Sequence, residues 1–554
     1  MGLGLFRAVW QESGTMPQLT GGEAIVASLI ANGVDTVFAL PGVQMDNLFD
    51  AFYGAQDKLR VIHTRHEQST AYMAFGYSQT SGRVGVCAVV PGPGLLNAAG
   101  ALSTAWACNA PVLVIAGQIW EHQYEKNIGA LHEIPNQREM IAHIMKSATY
   151  IPQPEDAPGV IHEAFRHLLS GRPRPVEIEM TPDMLGRQAD VSLLGPAARD
   201  ASPAIDQDAL EAAAKILGQA KYPVIMAGGG AMDAGEPLLA LAETLQAPII
   251  LTPNAKGAVS DREPYTMSLL GGHKIWAKAD AVLAVGTRFD RALLDWGIDG
   301  MKVVRIDVDA EEFGKVQQPD AAILADASQG LSALVDAVGK HNRSRESRVE
   351  EIAGVREAVA DELFEKGQVL AEIGTVLREE LPDDGVLVGD VTQVAVYTDM
   401  GFPTYYPRTY VSSGFQGTLG YGYATSLGAQ VGAPGRKVIS VNGDGGFLYT
   451  QPEMATAKQH NIPVVAIVFD DGAFGNVKGI QRTRYGGREI ASTLENPDFV
   501  KLADAFGMAG YRAETPEQLR AVLKEALAVD APALVHYPTV PMPMIRMLSR
   551  GKVR

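Results

Sequence analysis

Apolar and polar positions alternate in blocks along most of the chain. Over residues 438–479 the order is VISV, then Gly443-Asp444-Gly445-Gly446, then a helical pattern across 447–460, then PVVAIVF ending on Asp470-Asp471. A short apolar, β-branched run predicts a buried strand, and a periodic stretch predicts a helix. The unit is therefore strand–helix–strand, with acidic side chains at two neighbouring strand ends. Asp444 and Asp471 lie 27 positions apart, about the length a right-handed crossover needs. Ligands of open parallel sheets bind at that edge.

The same alternation runs through the rest of the chain. A helical period over 21–32 precedes TVFAL. A helix carrying Leu48, Phe49 and Phe52 precedes RVIHT, and a long helical pattern starting at Glu67 precedes VGVCAVV. The turn Pro91-Gly92-Pro93-Gly94 then leads through LLNAAGALSTAWACN to PVLVIAG. A second block holds PVIMA, the run Gly228-Gly229-Gly230, EPLLALAETL, PIILT, AVLAVGTRFD and KVVRIDVD, and a third opens on VLVGD. Nearly wholly apolar strands separated by helices predict an α/β fold of doubly wound parallel sheets. Residues 190–208 read as a Pro/Ala-rich linker, and the charged stretch 341–367 as a second linker, part of it a solvated helix. The expected division is an extension at 1–15, domains at 16–190, 200–345 and 365–540, and a tail at 541–554. The Pro- and Met-rich tail either closes over a site or is disordered.

Composition narrows the function. At 554 residues the chain has room for two to four domains. A formal charge of −17 argues against nucleic acid or an anionic membrane as partner. Cys87 and Cys108 are the only cysteines, both in apolar surroundings, so a disulfide framework and zinc spacing are absent and a reducing compartment such as the cytoplasm is expected. No apolar run reaches membrane-spanning length. The first fifteen residues lack a basic leader with a long apolar core, and Phe6 stands where myristoylation wants Ser or Thr.

The paired strand-end carboxylates suit a hard cation, which takes oxygen ligands and commonly phosphate oxygens among them. Glycines at the helix start let backbone N–H groups approach an anion. This composite resembles the diphosphate-binding motif of thiamine diphosphate enzymes, in which GDG is followed after about two dozen residues by a pair of asparagines. Here Asp470 and Asp471 stand in place of that pair. The resemblance implies Mg²⁺ held by Asp444, Asp471 and the backbone carbonyl of Ala473. Gly443, Gly445, Gly446, Phe474 and Gly475 are implied around the diphosphate.

Other segments resemble the acetolactate synthase and pyruvate oxidase branch of that family. TRHEQSTAYMAFGY matches its RHEQ stretch and implies that Glu67 bonds N1′ of the aminopyrimidine. By itself Glu67 also reads as a carboxylate placed on a helix macrodipole. VPGPGLLN is similar to the family's SGPGATN loop and brings Gly92 to the site. Val391-Thr392-Gln393 resembles DVGQHQ, with Val394 in place of a histidine. SSGFQGTLGYG resembles SGGLGTMGFG, implying that Leu419 props the cofactor in a bent shape while the Gly417 carbonyl accepts from its 4′ nitrogen. Gln118 matches a glutamine near substrate. Gln44 stands where acetolactate synthases carry a small residue and benzaldehyde lyase a catalytic histidine. Leu131-His132-Glu133 replaces Phe-Gln-Glu, so His132 is either a new polar group of the site or a surface histidine.

The resemblance covers nearly the whole chain. It implies pyrimidine-binding, central and diphosphate-binding domains, and a homodimer or homotetramer in which Glu67 of one subunit faces the Asp444 site of another. It implies decarboxylation of a 2-oxo acid such as pyruvate with ligation to a second carbonyl, a cytoplasmic enzyme, and a place in branched-chain amino acid biosynthesis. Two alternatives stay open: a lyase or carboligase on another 2-hydroxy ketone or diketone, and a silent cofactor-binding homologue. Gly228-Gly229-Gly230 and Arg288 match the FAD motifs of the central domain, but LLGGHKIWAKADAVLAVG is shorter than its counterpart, so FAD also stays open.

Overall fold

Strands form where the apolar runs lie, because a strand covered on both faces meets only apolar neighbours. The computed structural model describes residues 16–554, and the extension expected at 1–15 lies outside the described residues. Strand β1 (Gln18–Thr20) leads into a helix over Gly21–Ala31. Thr20 and Glu23 cap that helix reciprocally, Glu23 N donating to Thr20 Oγ1 at 3.1 Å and Thr20 N to Glu23 Oε2 at 2.8 Å. Strands β2 (Thr36–Ala39), β3 (Arg60–His63), β4 (Gly85–Val89), β5 (Val112–Gly117), β6 (Ser147–Tyr150) and β7 (Val176–Met180) follow. They make a parallel sheet in the order β3-β2-β4-β5-β7-β6, and β8 (Gln188–Asp190) returns antiparallel to β1.

The central domain holds β9 (Pro223–Ala227), β10 (Ile249–Leu251), β11 (Thr266–Ser268), β12 (Ala281–Val285), β13 (Lys302–Asp307) and β14 (Ala321–Leu324). Their order, β11-β10-β9-β12-β13-β14, is the doubly wound order of dinucleotide-binding sheets. The last domain holds β15 (Val386–Gly389), β16 (Tyr410–Ser412), β17 (Val438–Gly443), β18 (Val464–Asp470), β19 (Ala509–Arg512) and β20 (Ala533–Pro538), in the order β16-β15-β17-β18-β20-β19. Numbered within their own domains, the first and third sheets share one strand order. In the third, β15 and β17 flank the point where the order reverses, so Asp390 and Asp444 follow the two strands that open the binding crevice.

The chain divides into two compact units. One joins residues up to Asp200 with 413–435 and 446–464; the other joins 201–412 with 436–445 and 465–554. Within the first unit the Glu67–Ser81 helix crosses the Gly422–Gly432 helix at backbone contact. A Cβ at Gly76 would lie 2.0 Å from Thr425 O, and one at Gly428 1.9 Å from Met73 O. Only glycine permits that approach.

Three expectations change. The helix anticipated over 447–460 begins at Asp444 and breaks into Asp444–Thr450, a 3₁₀ turn Gln451–Glu453, and Met454–Gln459. Pro452 supplies no N–H to a continuous helix and crowds the preceding turn. Of the charged stretch 341–367, the expected helical part is residues 349–367, which open a helix over Val349–Glu380; it is not simply solvated, since it bends at Gly367 (φ −156°) and buries Ile352, Val359 and Leu363. Its apolar positions keep helical spacing beneath the charge. The tail is ordered against the central domain: Ser549 O accepts from Trp296 Nε1 at 2.9 Å, and Val553 N and Arg554 N donate to Trp296 O at 2.9 and 3.0 Å. Among the described residues no helix is long and apolar enough to cross a membrane.

Candidate active site

Strand β17 runs straight into the helix whose first residue is Asp444, so its buried carboxylate sits at a helix N-terminus. Asp444 Oδ2 accepts from Asn496 Nδ2 at 2.7 Å and from Ala473 N at 3.2 Å. The loop after β18 is held by Phe474 N to Ser492 O at 2.9 Å and Leu494 N to Gly472 O at 2.8 Å. The Phe474 ring lies 2.5 Å from where a Gly445 Cβ would stand, and Asp471 Oδ2 lies 2.6 Å from where a Gly475 Cβ would stand. Glycine at 445 lets the loop after β18 close on the end of β17, and glycine at 475 leaves room for the Asp471 carboxylate within that loop.

Three carboxylates meet here. Burial pushes Asp444 up to about 6, aided by the charges of Asp471 and Asp470 and opposed by donors from Asn496 and Gly445. Burial likewise raises Asp471, against the Ala473 N–H. Burial would also raise Asp470, but donors from Asn496, His536 and Gly472 outweigh it and hold that carboxyl below its ordinary range. Beside them, Thr392 caps the helix over Gln393–Gly401 through Ala395 N at 2.9 Å, and Val391 is exposed. Asp390 Oδ1 accepts from Val391 N at 2.7 Å.

The residues suit a divalent cation with a diphosphate. Two hard carboxylates stand at adjoining strand ends, and raised carboxyl pKa values mark a site short of positive charge. Two buried acceptors, Asn496 Oδ1 and Gln393 Oε1, have no hydrogen-bond partner among the described residues. Among the described residues no three His, Cys, Asp or Glu side chains are gathered to hold a metal unaided, and a set of two carboxylates and a carbonyl does not need them to be.

The second cluster lies in the first unit. Glu67 opens its helix after His66, whose ring accepts from Gln68 N at 3.1 Å, and Glu67 Oε2 accepts from Asn97 Nδ2 at 3.0 Å. Gln44 and His132 come together, with Gln44 Oε1 2.8 Å from His132 Nδ1 and Gln44 Nε2 donating to Leu131 O at 2.9 Å. His132 is thus a bonded, half-buried group with φ +64°, and a Cβ on Gly92 (φ +58°) would lie 2.0 Å from its carbonyl oxygen. Gln118 is buried and donates to Glu179 Oε2 at 3.3 Å. Leu419 is half-buried on the Gly417 (φ +57°) turn, outside the apolar core.

Two side chains that the sequence reading passed over organise this cluster. Gln137 accepts from Gly92 N at 2.7 Å and donates to Gly117 O at 3.0 Å and Glu179 Oε2 at 2.8 Å, tying the loop to the ends of β5 and β7. Glu453 is fully buried and accepts from Arg65 N and His66 N, each at 3.1 Å, so it fixes the entry to the Glu67 helix. A glutamate placed among apolar helical positions was the available signal for Glu453; nothing local marks Gln137.

In the central domain the glycine run packs on backbone. Gly228 N donates to Val285 O at 2.9 Å and Gly230 N to Gly286 O at 3.0 Å, and a Gly228 Cβ would lie 2.4 Å from Gly286 O. These two amides are engaged with backbone carbonyls and are not turned toward a dinucleotide.

Family models match the chain in three places: "Thiamine pyrophosphate enzyme, N-terminal TPP binding domain" over 19–140, the central domain over 210–334, and the C-terminal TPP binding domain over 390–537. A "Probable acetolactate synthase large subunit" of Methanocaldococcus jannaschii is 32% identical over 96% of this chain and 94% of its own length. A "Probable 2-ketoarginine decarboxylase" of Pseudomonas aeruginosa is 33% identical over 93% of each. The acetolactate synthase isozyme 1 large subunit of Escherichia coli is 29% identical over 95% and 97%. The chain belongs to the thiamine pyrophosphate-dependent enzymes, on the acetolactate synthase branch.

Proposed function

We propose that this chain decarboxylates a 2-oxo acid, pyruvate in the first instance, and joins the remaining two-carbon unit to a second carbonyl, as an acetolactate synthase does. The observation that carries the reading is the Asp444–Asp471 pair at adjoining strand ends, followed in the chain by Ala473 and the Phe474–Gly475 turn. Bound thiamine diphosphate supplies a nucleophilic carbon and an electron sink.

Asp444, Asp471 and the Ala473 carbonyl hold Mg²⁺, with Gly443, Gly445, Gly446 and the Val391-Thr392-Gln393 turn against the diphosphate. Glu67 holds a proton at N1′ of the aminopyrimidine, while Leu419 and the Gly417 carbonyl fix its angle. Gln118, Gln44 and His132 face the substrate beside Gly92. The working unit is a homodimer or a pair of dimers, in which Glu67 of one subunit serves the Asp444 site of another, and the compartment is the cytoplasm. FAD in the central domain is a separate question, answered by whether the pure protein carries flavin absorbance.

The test is incubation with pyruvate, thiamine diphosphate and Mg²⁺, then acid treatment and a colour reaction for acetoin. Acetoin from acid-decarboxylated acetolactate is expected, and no product at high enzyme overturns the reading. A second reading, decarboxylation of a cationic 2-oxo acid without ligation, is favoured by Glu177 and Glu179, two buried carboxyls on one face of β7, of which Glu179 accepts from Gln118. Burial pushes both upward, and a guanidinium nearby would offset that cost. CO₂ release from 5-guanidino-2-oxopentanoate in preference to pyruvate would favour it.

A further inference from the structure

The strand ends carry two carboxylates more than the family pattern, in which neutral asparagines stand at 470 and 471, and one of the two, Asp470, is not among the residues proposed to hold the metal. Three like charges at adjoining strand ends repel one another and would distort a two-carboxylate metal site. The side chains around Asp470 take that extra charge away from the site. Asp470 Oδ2 is 2.9 Å from His536 Nε2, and Oδ1 accepts from Asn496 Nδ2 at 2.8 Å and Gly472 N at 3.1 Å. His536 sits on β20, only 6% exposed, with Arg512 Nη1 3.4 Å from its Nδ1. A guanidinium only donates, so Nδ1 accepts and Nε2 carries the hydrogen toward Asp470. Asn496 gives its other amide hydrogen to Asp444 at 2.7 Å.

We propose that His536 and Asn496 are positioning residues that draw Asp470 out of the metal site, so that Asp444 and Asp471 alone face the cation. The chain Arg512–His536–Asp470–Asn496–Asp444 does the work that a neutral residue at 470 would do without help. His536 is needed because Asp470 is charged, and it becomes dispensable once that charge is removed. The proposal rests on the metal-site reading given above.

The test is calorimetric titration of the full-length chain with thiamine diphosphate across a range of Mg²⁺ concentrations, for the parent, His536→Leu, and His536→Leu with Asp470→Asn. His536→Leu is expected to weaken Mg²⁺-dependent binding about tenfold, and the added Asp470→Asn to restore it to within about threefold of the parent. Thermal unfolding of the same chains without cofactor separates this from a loss of fold: unfolding temperatures that fall and recover in step with binding would assign His536 a purely structural role and overturn the proposal. Should His536→Leu precipitate, His536→Gln, which keeps a donor, carries the comparison and is expected within about threefold of the parent. A loss smaller than threefold for His536→Leu, or a double variant no better than the single, overturns the proposal. A parent chain that binds no thiamine diphosphate with Mg²⁺ overturns the metal-site reading and this proposal together.

Discussion

Single side chains divide into those proposed to meet the cofactor and those that hold the backbone around them. Glu67→Gln keeps the size and the Asn97 contact but removes the ionisable group. Turnover is expected to fall about 10²–10⁴-fold with the fold retained, checked by steady-state kinetics beside circular dichroism. Glu453→Ala is a different kind of change. It leaves the buried N–H groups of Arg65 and His66 without an acceptor, at a cost of about 1–3 kcal/mol, read from denaturant unfolding. His460 gives a pH signature. Burial, then the neighbouring His63, Arg60 and Arg65, push it down to about 4. Its Nε2 lies 3.2 Å from His63 Nδ1. The unfolded chain, with an ordinary imidazole near 6.5, therefore binds more protons than the folded one between the two values. This contribution to stability is complete above about pH 6.5 and drains away as pH falls toward 4. His460→Gln is expected to flatten that slope in denaturation midpoints measured from pH 7 to 4, with His63, also pushed down by burial, leaving a remainder.

Among elements, the crossing of the Glu67–Ser81 and Gly422–Gly432 helices depends on two glycines. At Gly428 a methyl group would meet a fixed carbonyl of the facing helix, not the end of a flexible side chain. Gly428→Ala is expected to cost about 1–3 kcal/mol or more, with loss of expression or a lowered unfolding temperature as the readout. The loop after β18 is constrained differently, because its acidic tips set a charge balance. Asp471→Asn removes one negative charge from the proposed diphosphate site and is expected to lower the Mg²⁺ concentration needed for half-saturation with thiamine diphosphate. An unchanged or raised requirement in the same titration would show that Asp471 does not shape the metal demand.

For the whole molecule, the proposed sharing of sites between subunits would show itself in mixed oligomers. If Glu67 of one subunit serves the Asp444 site of another, mixing inactive Glu67→Gln chains with inactive Asp444→Asn chains builds one intact site in each heterodimer. Random reassociation after mild dissociation is then expected to return about a quarter of parent activity, and no recovery would mean that each chain completes its own site. The net charge of −17 repels small anions at long range, so a diphosphate must be drawn in by local N–H groups and any bound cation.

Local pattern alone determined the element types, the α/β class and the two acidic strand ends. Burial on two faces forces continuous apolar runs, and a strand–helix–strand unit needs a fixed span of chain. It also held the GDG turn and the Glu67 helix start, because their chemistry is written in adjacent residues. Pro452 is visible too, but the apolar period runs on past it and hides the break at Gln451–Glu453. The polar partners were decided only in three dimensions. Glu453 meets Arg65 across 388 positions, His536 meets Asp470 across 66, and Gln137 meets Gly92 across 45. A buried polar atom must find a partner, but which one it finds depends on how the layers pack, and no local period records that choice.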